Sequence, residues 1–159
     1  MSKITYKEYK ENRQKDFNAL PIFWAFSNEQ FKEECNKRGF EPEKAREYLY
    51  SLGAGGYYLK ADAPIIHDYM NKPDEIHELM KDEEFAESAF YYEMGNYEYH
   101  INNWQGNYDV LSCFGKITFN DDDSAKDYFK ELNFEPQTIQ AFYKARKRFL
   151  TDAAENDWY

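Results

Sequence analysis

The chain has 159 residues, a net charge of −10 and an aromatic content of 19%. Its length fits a single domain, 1–159, that buries roughly 70% of the unfolded surface, with a core built on Phe, Tyr and Trp. The acidic balance disfavours direct nucleic-acid binding, because nucleic-acid-binding proteins usually present a dominant basic face to phosphate. Two cysteines without CxxC spacing indicate neither a disulfide framework nor a zinc motif.

The N-terminal sequence contains no sign of a targeting segment. MSKITYKEYKENRQKDF has no apolar signal-peptide core, and no stretch of the chain approaches 18 apolar residues. We therefore expect a cytoplasmic protein that makes no membrane contact.

The first forty residues predict two helices that flank a short strand. Thr5 is a candidate N-cap of the first helix, which should end before Pro21. Residues 22–26 are apolar and too few for a helix, so we expect a strand there. Ser27 then caps a second helix, which ends at Gly39, a residue suited to the left-handed C-terminal position.

A third helix and a glycine-rich turn follow. Pro42 suits the first turn of that helix, which carries Tyr48 and Leu49 towards the core. The glycine-rich residues 53–56 predict a turn into a second strand at residues 57–59. A phosphate-binding glycine loop would instead follow a strand and open a helix, so the order of elements favours a simple turn.

The middle of the chain changes from helical to alternating periodicity. Apolar residues at helical spacing predict helices at 63–69 and 73–96, the second with a break near Asp82. Beyond them, apolar and polar residues alternate over 97–102, and turn residues follow at 104–107. With a returning strand at 110–119, we expect a β-hairpin over 97–119. The fold prediction is α+β: about six helices on a small, mainly antiparallel sheet.

The last forty residues predict two helices and contain an internal echo. The segment NDDDS at 120–124 is placed to cap one helix, and Pro136 to begin the other. Segments 26–42 and 119–136 both read as a strand end, a capped helix, Phe-Glu-Pro and another helix, through duplication or through repeated use of the same capping residues. The acids at 121–123 offer oxygen ligands to a cation, but without EF-hand spacing they are better explained by the positive helix N-terminus.

Negative charge concentrates between Asp74 and Glu98, where nine acids and a single Lys81 give −8. One interpretation is a solvated helix face. The sharper one is a surface that imitates the DNA backbone and enters a basic groove, with tyrosines as anchoring contacts. The candidate partner-binding residues are Asp82, Glu83, Glu84, Glu87, Tyr91, Tyr92, Glu93, Tyr97 and Glu98.

An alternative is a small enzyme or nucleotide-signal binder that uses Glu93 and His100. A histidine titrates near neutrality, and Glu93 or Glu98 could orient it as a general base; a hydrogen-bonded surface histidine is the plainer interpretation. The three histidines, His67, His77 and His100, include no pair at the i, i+4 spacing of helical zinc sites, and no serine lies in a GxSxG setting. We therefore expect no metal, no cofactor and no nameable nucleophile.

Two segments resemble known sequences. FWAFSNEQFKE at 23–33 and FYYEMGNYEYHI at 90–101 resemble a group of small, uncharacterised bacteriophage and prophage proteins with similar F-A-F-S-x-E-Q-F and E-[LM]-[AG]-N-x-E-Y segments. The resemblance implies a mobile-element origin and transfers no activity or site residue.

A mobile-element origin favours small acidic proteins that block host machinery. We therefore expect a non-enzymatic, anti-CRISPR-like or anti-restriction-like inhibitor that acts in the host-cell cytoplasm. Its partner would be a host protein with a basic surface, such as a nuclease. A phage assembly accessory that self-associates is a third hypothesis, and the oligomeric state stays open.

Overall fold

A computed structural model describes residues 3–159 as a mainly helical α+β protein with a small antiparallel sheet, which confirms the predicted fold class. The α-helices are Tyr6–Asn18 (α1), Asn28–Lys37 (α2), Ala45–Tyr48 (α3), Ala63–Asn71 (α4), Ile76–Leu79 (α5), Glu83–Asn96 (α6), Gly106–Leu111 (α7), Ala125–Leu132 (α8) and Pro136–Glu155 (α9). Short 3₁₀-helices occupy Pro42–Lys44, Lys60–Asp62 and Ser112–Phe114. The strands are Phe23–Trp24 (β1), Leu49–Gly53 (β2) and Gly56–Leu59 (β3).

Side-chain caps set the starts of three helices where the sequence predicts them. Thr5 Oγ1 accepts a hydrogen bond from the N–H of Glu8 at 3.1 Å, and Glu8 Oε2 accepts one from the N–H of Thr5 at 3.2 Å. Ser27 Oγ accepts from the N–H of Gln30 at 3.1 Å, and Ser124 caps α8 in the same way. These bonds satisfy N–H groups that the first turn of a helix leaves unpaired.

The three strands form one antiparallel sheet in the order β1-β3-β2. A tight turn joins β2 to β3, with positive φ at Gly53, Ala54 and Gly55. The predicted turn, the strand after it and the strand expected within residues 22–26 are confirmed, but β2 is a correction. The third helix was expected to contain Leu49, whereas it ends at Tyr48 and Leu49 pairs with Leu59.

The predicted hairpin over 97–119 is wrong, because the described chain forms turns and α7 in this region. The N–H of Tyr99 bonds back to the carbonyl of Met94 at 2.9 Å, so α6 unwinds into a turn. Asn102 accepts from the N–H of Gln105 at 3.3 Å and donates to Asp109 at 2.9 Å. Such local side-chain bonds offer the backbone an alternative to a strand ladder.

Two compact units divide the described chain. The terminal unit contains the residues up to Glu11 together with Asp74–Tyr159, and the central unit contains Asn12–Pro73. The prediction of a single domain over 1–159 stays a prediction, and it also includes Met1 and Ser2, which lie outside the described residues. No helix within residues 3–159 is long and apolar enough to cross a membrane.

The core of the terminal unit is aromatic, as the composition predicts. Phe90 of α6 packs edge-on against Phe114 at 5.0 Å and against Phe142 of α9 at 5.2 Å between ring centres. These three rings are at most 1% exposed. Burial of such rings is a major source of stability, and it fixes α6 against α9.

A smaller cluster forms the core of the central unit. Phe23 and Leu49 from the sheet pack with Cys35 of α2 and with Phe40. The guanidinium of Arg38 lies 3.8 Å from the centre of the Phe23 ring. A cation over an aromatic face adds a modest attraction to this packing.

The two echoing segments share their local geometry. α2 and α8 each end near a left-handed residue, Gly39 at φ +85° and Asn133 at φ +54°. The N–H of Phe40 and that of Phe134 then bond back to a carbonyl of the preceding helix at 3.3 and 3.2 Å. The segments diverge afterwards, because Pro136 begins the 20-residue α9 whereas the first segment continues into a 3₁₀ turn and the four-residue α3. An origin of these two segments by internal duplication stays a prediction.

Candidate functional site

Helix α6 carries most of the residues that the sequence singles out, and Asp82 fixes its start. Asp82 Oδ1 accepts from the N–H of Phe85 at 2.9 Å, and Oδ2 lies 2.7 Å from Lys3 Nζ. The hydrogen bond from Lys3, together with that from Phe85, lowers the pKa of Asp82. This carboxylate therefore has a clear structural role as a helix cap.

The next acids of α6 pair with basic residues of α9. Glu83 forms an ion pair with Lys144, and Glu87 Oε1 lies 3.8 Å from a guanidinium nitrogen of Arg148. These pairs neutralise part of the acidic face, so α6 does not present an uninterrupted row of free carboxylates. Glu84 and Glu98 are exposed and take part in none of the ion pairs found within residues 3–159.

Glu93 is buried, with only 1% of its surface exposed, and therefore lies off the outer surface to which the sequence assigned it. Its Oε1 accepts from the hydroxyl of Tyr6 at 3.0 Å and from Lys10 Nζ at 2.8 Å. Its Oε2 accepts from Cys113 Sγ at 3.1 Å and from Asn96 at 3.4 Å. We call Glu93 and these four partners the buried carboxylate cluster.

Burial and hydrogen bonding oppose each other in this cluster. Burial by itself raises the pKa of Glu93, but the hydrogen bonds from Lys10, Cys113 and Tyr6 outweigh it, so the pKa falls below its usual value. Burial, followed by the bond to Glu93, raises the pKa of Cys113 to about 12. Burial and the charge of Glu93 also raise the pKa of Tyr6. The cluster thus holds a charged carboxylate beside a neutral thiol, which is a poor nucleophile.

The described contacts join His100 to the chain end and not to Glu93 or Glu98. Its Nε2–H donates to the carbonyl oxygen of Trp158 at 3.2 Å. The rings of Phe149, Trp158 and Tyr159 lie 5.4–6.0 Å from the imidazole centre. His100 Nδ1 is buried and has no hydrogen-bond partner among the described residues. The geometry therefore does not supply a base oriented by Glu93.

A groove of about 720 Å³ opens in the terminal unit beside α6. Aromatic rings dominate its lining, and two basic side chains and one acidic side chain lie among them. Its lining residues are Thr5, Tyr6, Lys7, Ser88, Tyr91, Tyr92, Gly95, Glu98, His100, Arg148, Phe149 and Trp158, and we call it the aromatic groove.

Two of the predicted tyrosines, Tyr91 and Tyr92, line this groove, and Tyr97 is not among its lining residues. Tyr92 is 47% exposed and Tyr97 is 38% exposed. The hydroxyl of Tyr91 donates to Asp152 at 2.6 Å, so that ring is fixed against α9. Tyr92 and Tyr97 are therefore the tyrosines of this segment that offer most ring surface to a partner.

The acids at 121–123 include one clear structural role. Asp123 accepts from the N–H groups of Asn107 and Tyr108 at 2.9 and 2.8 Å, and so caps the start of α7. Burial raises the pKa of Asp123 despite these two bonds. Across residues 3–159, no three or more His, Cys, Asp or Glu side chains are grouped so that they could hold a metal ion.

Fold and site define a small acidic α+β protein in which a satisfied buried carboxylate lies near an open aromatic groove. Residues 5–134 match a family of unknown function, DUF7659. Because the match covers most of the chain, the protein belongs to this family. The matched range includes Glu93 and its partners and ends before α9. Comparison with curated proteins gave no match, and comparison with solved structures gave none either.

Proposed function

We propose that the protein acts by binding, as a phage-type inhibitor of a host nucleic-acid-handling or defence complex, of the anti-CRISPR or anti-restriction kind. The resemblance of residues 23–33 and 90–101 to phage and prophage proteins supports this setting. The second of these segments forms the end of α6 and the turn after it. The partner is a host protein with a basic surface, such as a nuclease, in the host cytoplasm.

One observation supports this function best: exposed tyrosines and free carboxylates share the same part of the chain. Tyr92 and Tyr97 expose 47% and 38% of their surface, and Glu84 and Glu98 are exposed outside any ion pair of the described chain. Aromatic anchors supply affinity at protein interfaces, while unneutralised acids favour a basic partner. We call these four residues the tyrosine–carboxylate patch.

The charge of the two units supports the same assignment. The central unit has nine basic and nine acidic residues, whereas the terminal unit has 11 basic and 21 acidic residues and so carries the whole net charge of −10. A concentrated negative field increases the rate at which a basic partner is encountered. Since Glu83 and Glu87 are paired with α9, we assign recognition to the patch and not to a continuous imitation of DNA phosphates.

Affinity capture from host extract tests this function with a matched control. The double variant Glu84→Lys/Glu98→Lys should lose a basic nucleic-acid-handling protein that the wild type captures, and Tyr92→Ala/Tyr97→Ala should lose it too. The control Asp121→Lys/Asp122→Lys changes two other exposed acids of the terminal unit by the same charge and should capture normally.

The captured complex should then lose its nuclease activity in the presence of the wild-type protein. Equal capture by all variants, or a captured partner that handles no nucleic acid, contradicts the proposal.

A catalytic pair of Glu93 and His100 has less support. Glu93 is enclosed by Tyr6, Lys10 and Cys113, while His100 bonds to the chain end. No observation of the described residues joins these two side chains in one reaction centre.

A further inference from the structure

The aromatic groove has the size and lining of a small-molecule site. Its volume of about 720 Å³ lies within the range of about 300–1,000 Å³ that is typical of ligand pockets. Tyr92 and Trp158 both line it and are 47% and 44% exposed, so each ring presents free surface that a planar group can cover. Stacking on such rings is a common way to hold a nucleobase.

Positive charge gathers around this lining although the terminal unit is strongly acidic. Lys7 and Arg148 line the groove, whereas Lys10, whose Nζ lies 5.2 Å from the centre of the Tyr92 ring, is paired with Glu93 at 2.8 Å. The guanidinium of Arg148 lies 4.1 Å from the centre of the Tyr91 ring.

Arg148 keeps its donors available. Its guanidinium approaches Glu87 only to 3.8 Å, beyond hydrogen-bond distance, and none of the hydrogen bonds within residues 3–159 involves it. Glu98 is the one acid that lines the groove. The lining therefore favours an anionic group, and Arg148 is the residue best suited to a phosphate.

His100 positions one wall of the groove. Its Nε2–H bonds to the backbone of Trp158, and its ring packs edge-on against the Trp158 ring at 6.0 Å. When Nε2 carries the hydrogen, Nδ1 is an acceptor, and it is buried without a partner in the described chain. The contacts of His100 therefore hold Trp158 at the wall of the groove.

We propose that the aromatic groove binds a nucleoside monophosphate. The base stacks against Trp158 and Tyr92, and the phosphate accepts hydrogen bonds from Arg148 and Lys7. The lining thus favours a ligand that has a planar group, the size of a nucleotide and a negative charge. This site goes beyond the inhibitor function: it shares Tyr92 and Glu98 with the tyrosine–carboxylate patch, but its phosphate contacts, Arg148 and Lys7, lie outside that patch.

Isothermal titration of the full chain with AMP, GMP, CMP and UMP tests the site. At least one of them should bind, and Arg148→Gln and Trp158→Leu should each weaken binding about tenfold or more, because each removes a charge-assisted or a stacking contact. Lys147→Gln and Trp104→Leu are matched controls at exposed positions outside the lining and should bind as the wild type does. If Arg148→Gln does not fold by circular dichroism, the exposed Lys7→Gln replaces it.

Two fragments separate the parts of the ligand. Adenosine and inorganic phosphate should each bind more weakly than AMP, since each lacks one half of the recognition. Phosphate that binds as tightly as AMP would show a bare anion site, and adenosine that does so would show a purely apolar one; either result overturns the proposal. Absence of binding by all four nucleotides at millimolar concentration, or binding unchanged in both variants, overturns it as well.

Discussion

The buried carboxylate cluster and the aromatic groove share Tyr6 but treat their polar atoms differently. In the cluster, Glu93 accepts from four donors at 2.8–3.4 Å. In the groove, the rings of Tyr92 and Trp158 are exposed, and the guanidinium of Arg148 makes no hydrogen bond within residues 3–159, although it forms a long ion pair with Glu87 at 3.8 Å. A fully satisfied buried network holds a fold together, whereas exposed rings beside a guanidinium that makes no hydrogen bond retain capacity for a ligand. The contrast fits a structural role for the cluster and the proposed nucleotide binding for the groove.

The largest expected effect concerns the reactivity of Cys113. With its pKa raised from 9.0 to about 12, the thiolate fraction at pH 8 falls on the order of a thousandfold. In a Cys35→Ala background, native protein should therefore react with iodoacetamide far more slowly than the same protein in denaturant. Mass spectrometry of timed samples measures both rates. Equal rates would mean that the cluster is open to solvent.

Removal of the carboxylate should be the most destabilising change in the cluster. Glu93→Ala leaves the hydroxyl of Tyr6 and the charge of Lys10 without their shared acceptor. Loss of one partner of a buried ion pair costs about 3–5 kcal/mol, and we expect the lower end because Lys10 is 42% exposed and can turn to water. Urea unfolding followed by circular dichroism measures the loss.

The matched control for this measurement is Glu98→Ala. Glu98 is exposed, and its replacement should change the free energy of unfolding by less than about 0.5 kcal/mol. If Glu93→Ala lowers the free energy of unfolding by less than about 1 kcal/mol, the buried carboxylate contributes no more to stability than a surface carboxylate does.

Acid should weaken the fold partly through Glu93. Because its pKa in the folded state lies below the ordinary value of 4.5, the charged carboxylate contributes stability above pH 4.5, and that contribution is lost as the pH falls through the folded-state pKa. Glu93→Gln should therefore show a flatter acid limb in a plot of unfolding free energy against pH. The wild type and Glu93→Gln should both keep the loss of unfolding free energy in acid that comes from Asp82, since the pKa of that residue is lowered too. If the unfolding free energies of the two proteins fall in parallel as the pH decreases, the charge of Glu93 does not stabilise the fold.

The smallest effect is expected on the groove side. His100→Phe keeps an aromatic ring against Phe149 and removes the unpaired Nδ1, while it loses one hydrogen bond worth about 0.5–1.5 kcal/mol. These terms oppose each other, so the free energy of unfolding should change by less than about 1 kcal/mol. A loss as large as that of Glu93→Ala would place His100 in a structural network instead.

Local chemistry made much of the fold predictable from the sequence. The caps at Thr5, Ser27 and Ser124 depend on neighbours within three residues, and all three form as expected. The left-handed end at Gly39 and the helix start at Pro136 likewise follow from single residues.

The wrong predictions fall where one local sequence pattern is compatible with two different backbone structures. Alternation of aromatic and polar residues beyond Tyr97 fits a strand, but it also fits a turn in which Asn102 bonds to Gln105 and Asp109. Leu49 follows the four residues of α3 and fits that helix by spacing, whereas its partner Leu59 lies across the glycine turn. Periodicity alone does not distinguish these outcomes.

The candidate site was less predictable because its contacts are distant in sequence. Tyr6 and Lys10 lie 87 and 83 residues from Glu93, and no spacing rule links them. Helical spacing is the signal that indicates the burial of Glu93, because this residue follows Phe90, Ala89 and Ala86 by three, four and seven residues on one face of α6. Lys7, Arg148 and Trp158 come from the two ends of the chain and were likewise missed as parts of one groove.

Side-by-side calorimetric titration of Glu93→Gln and Arg148→Gln tests the separation of structure from recognition most directly. Each variant, shown to be folded by circular dichroism, is titrated with the nucleoside monophosphate that the wild type binds best. We predict wild-type affinity for Glu93→Gln and binding weakened about tenfold or more for Arg148→Gln. The reverse result, with binding lost in folded Glu93→Gln and kept in Arg148→Gln, would place recognition in the carboxylate cluster and contradict the role of the groove.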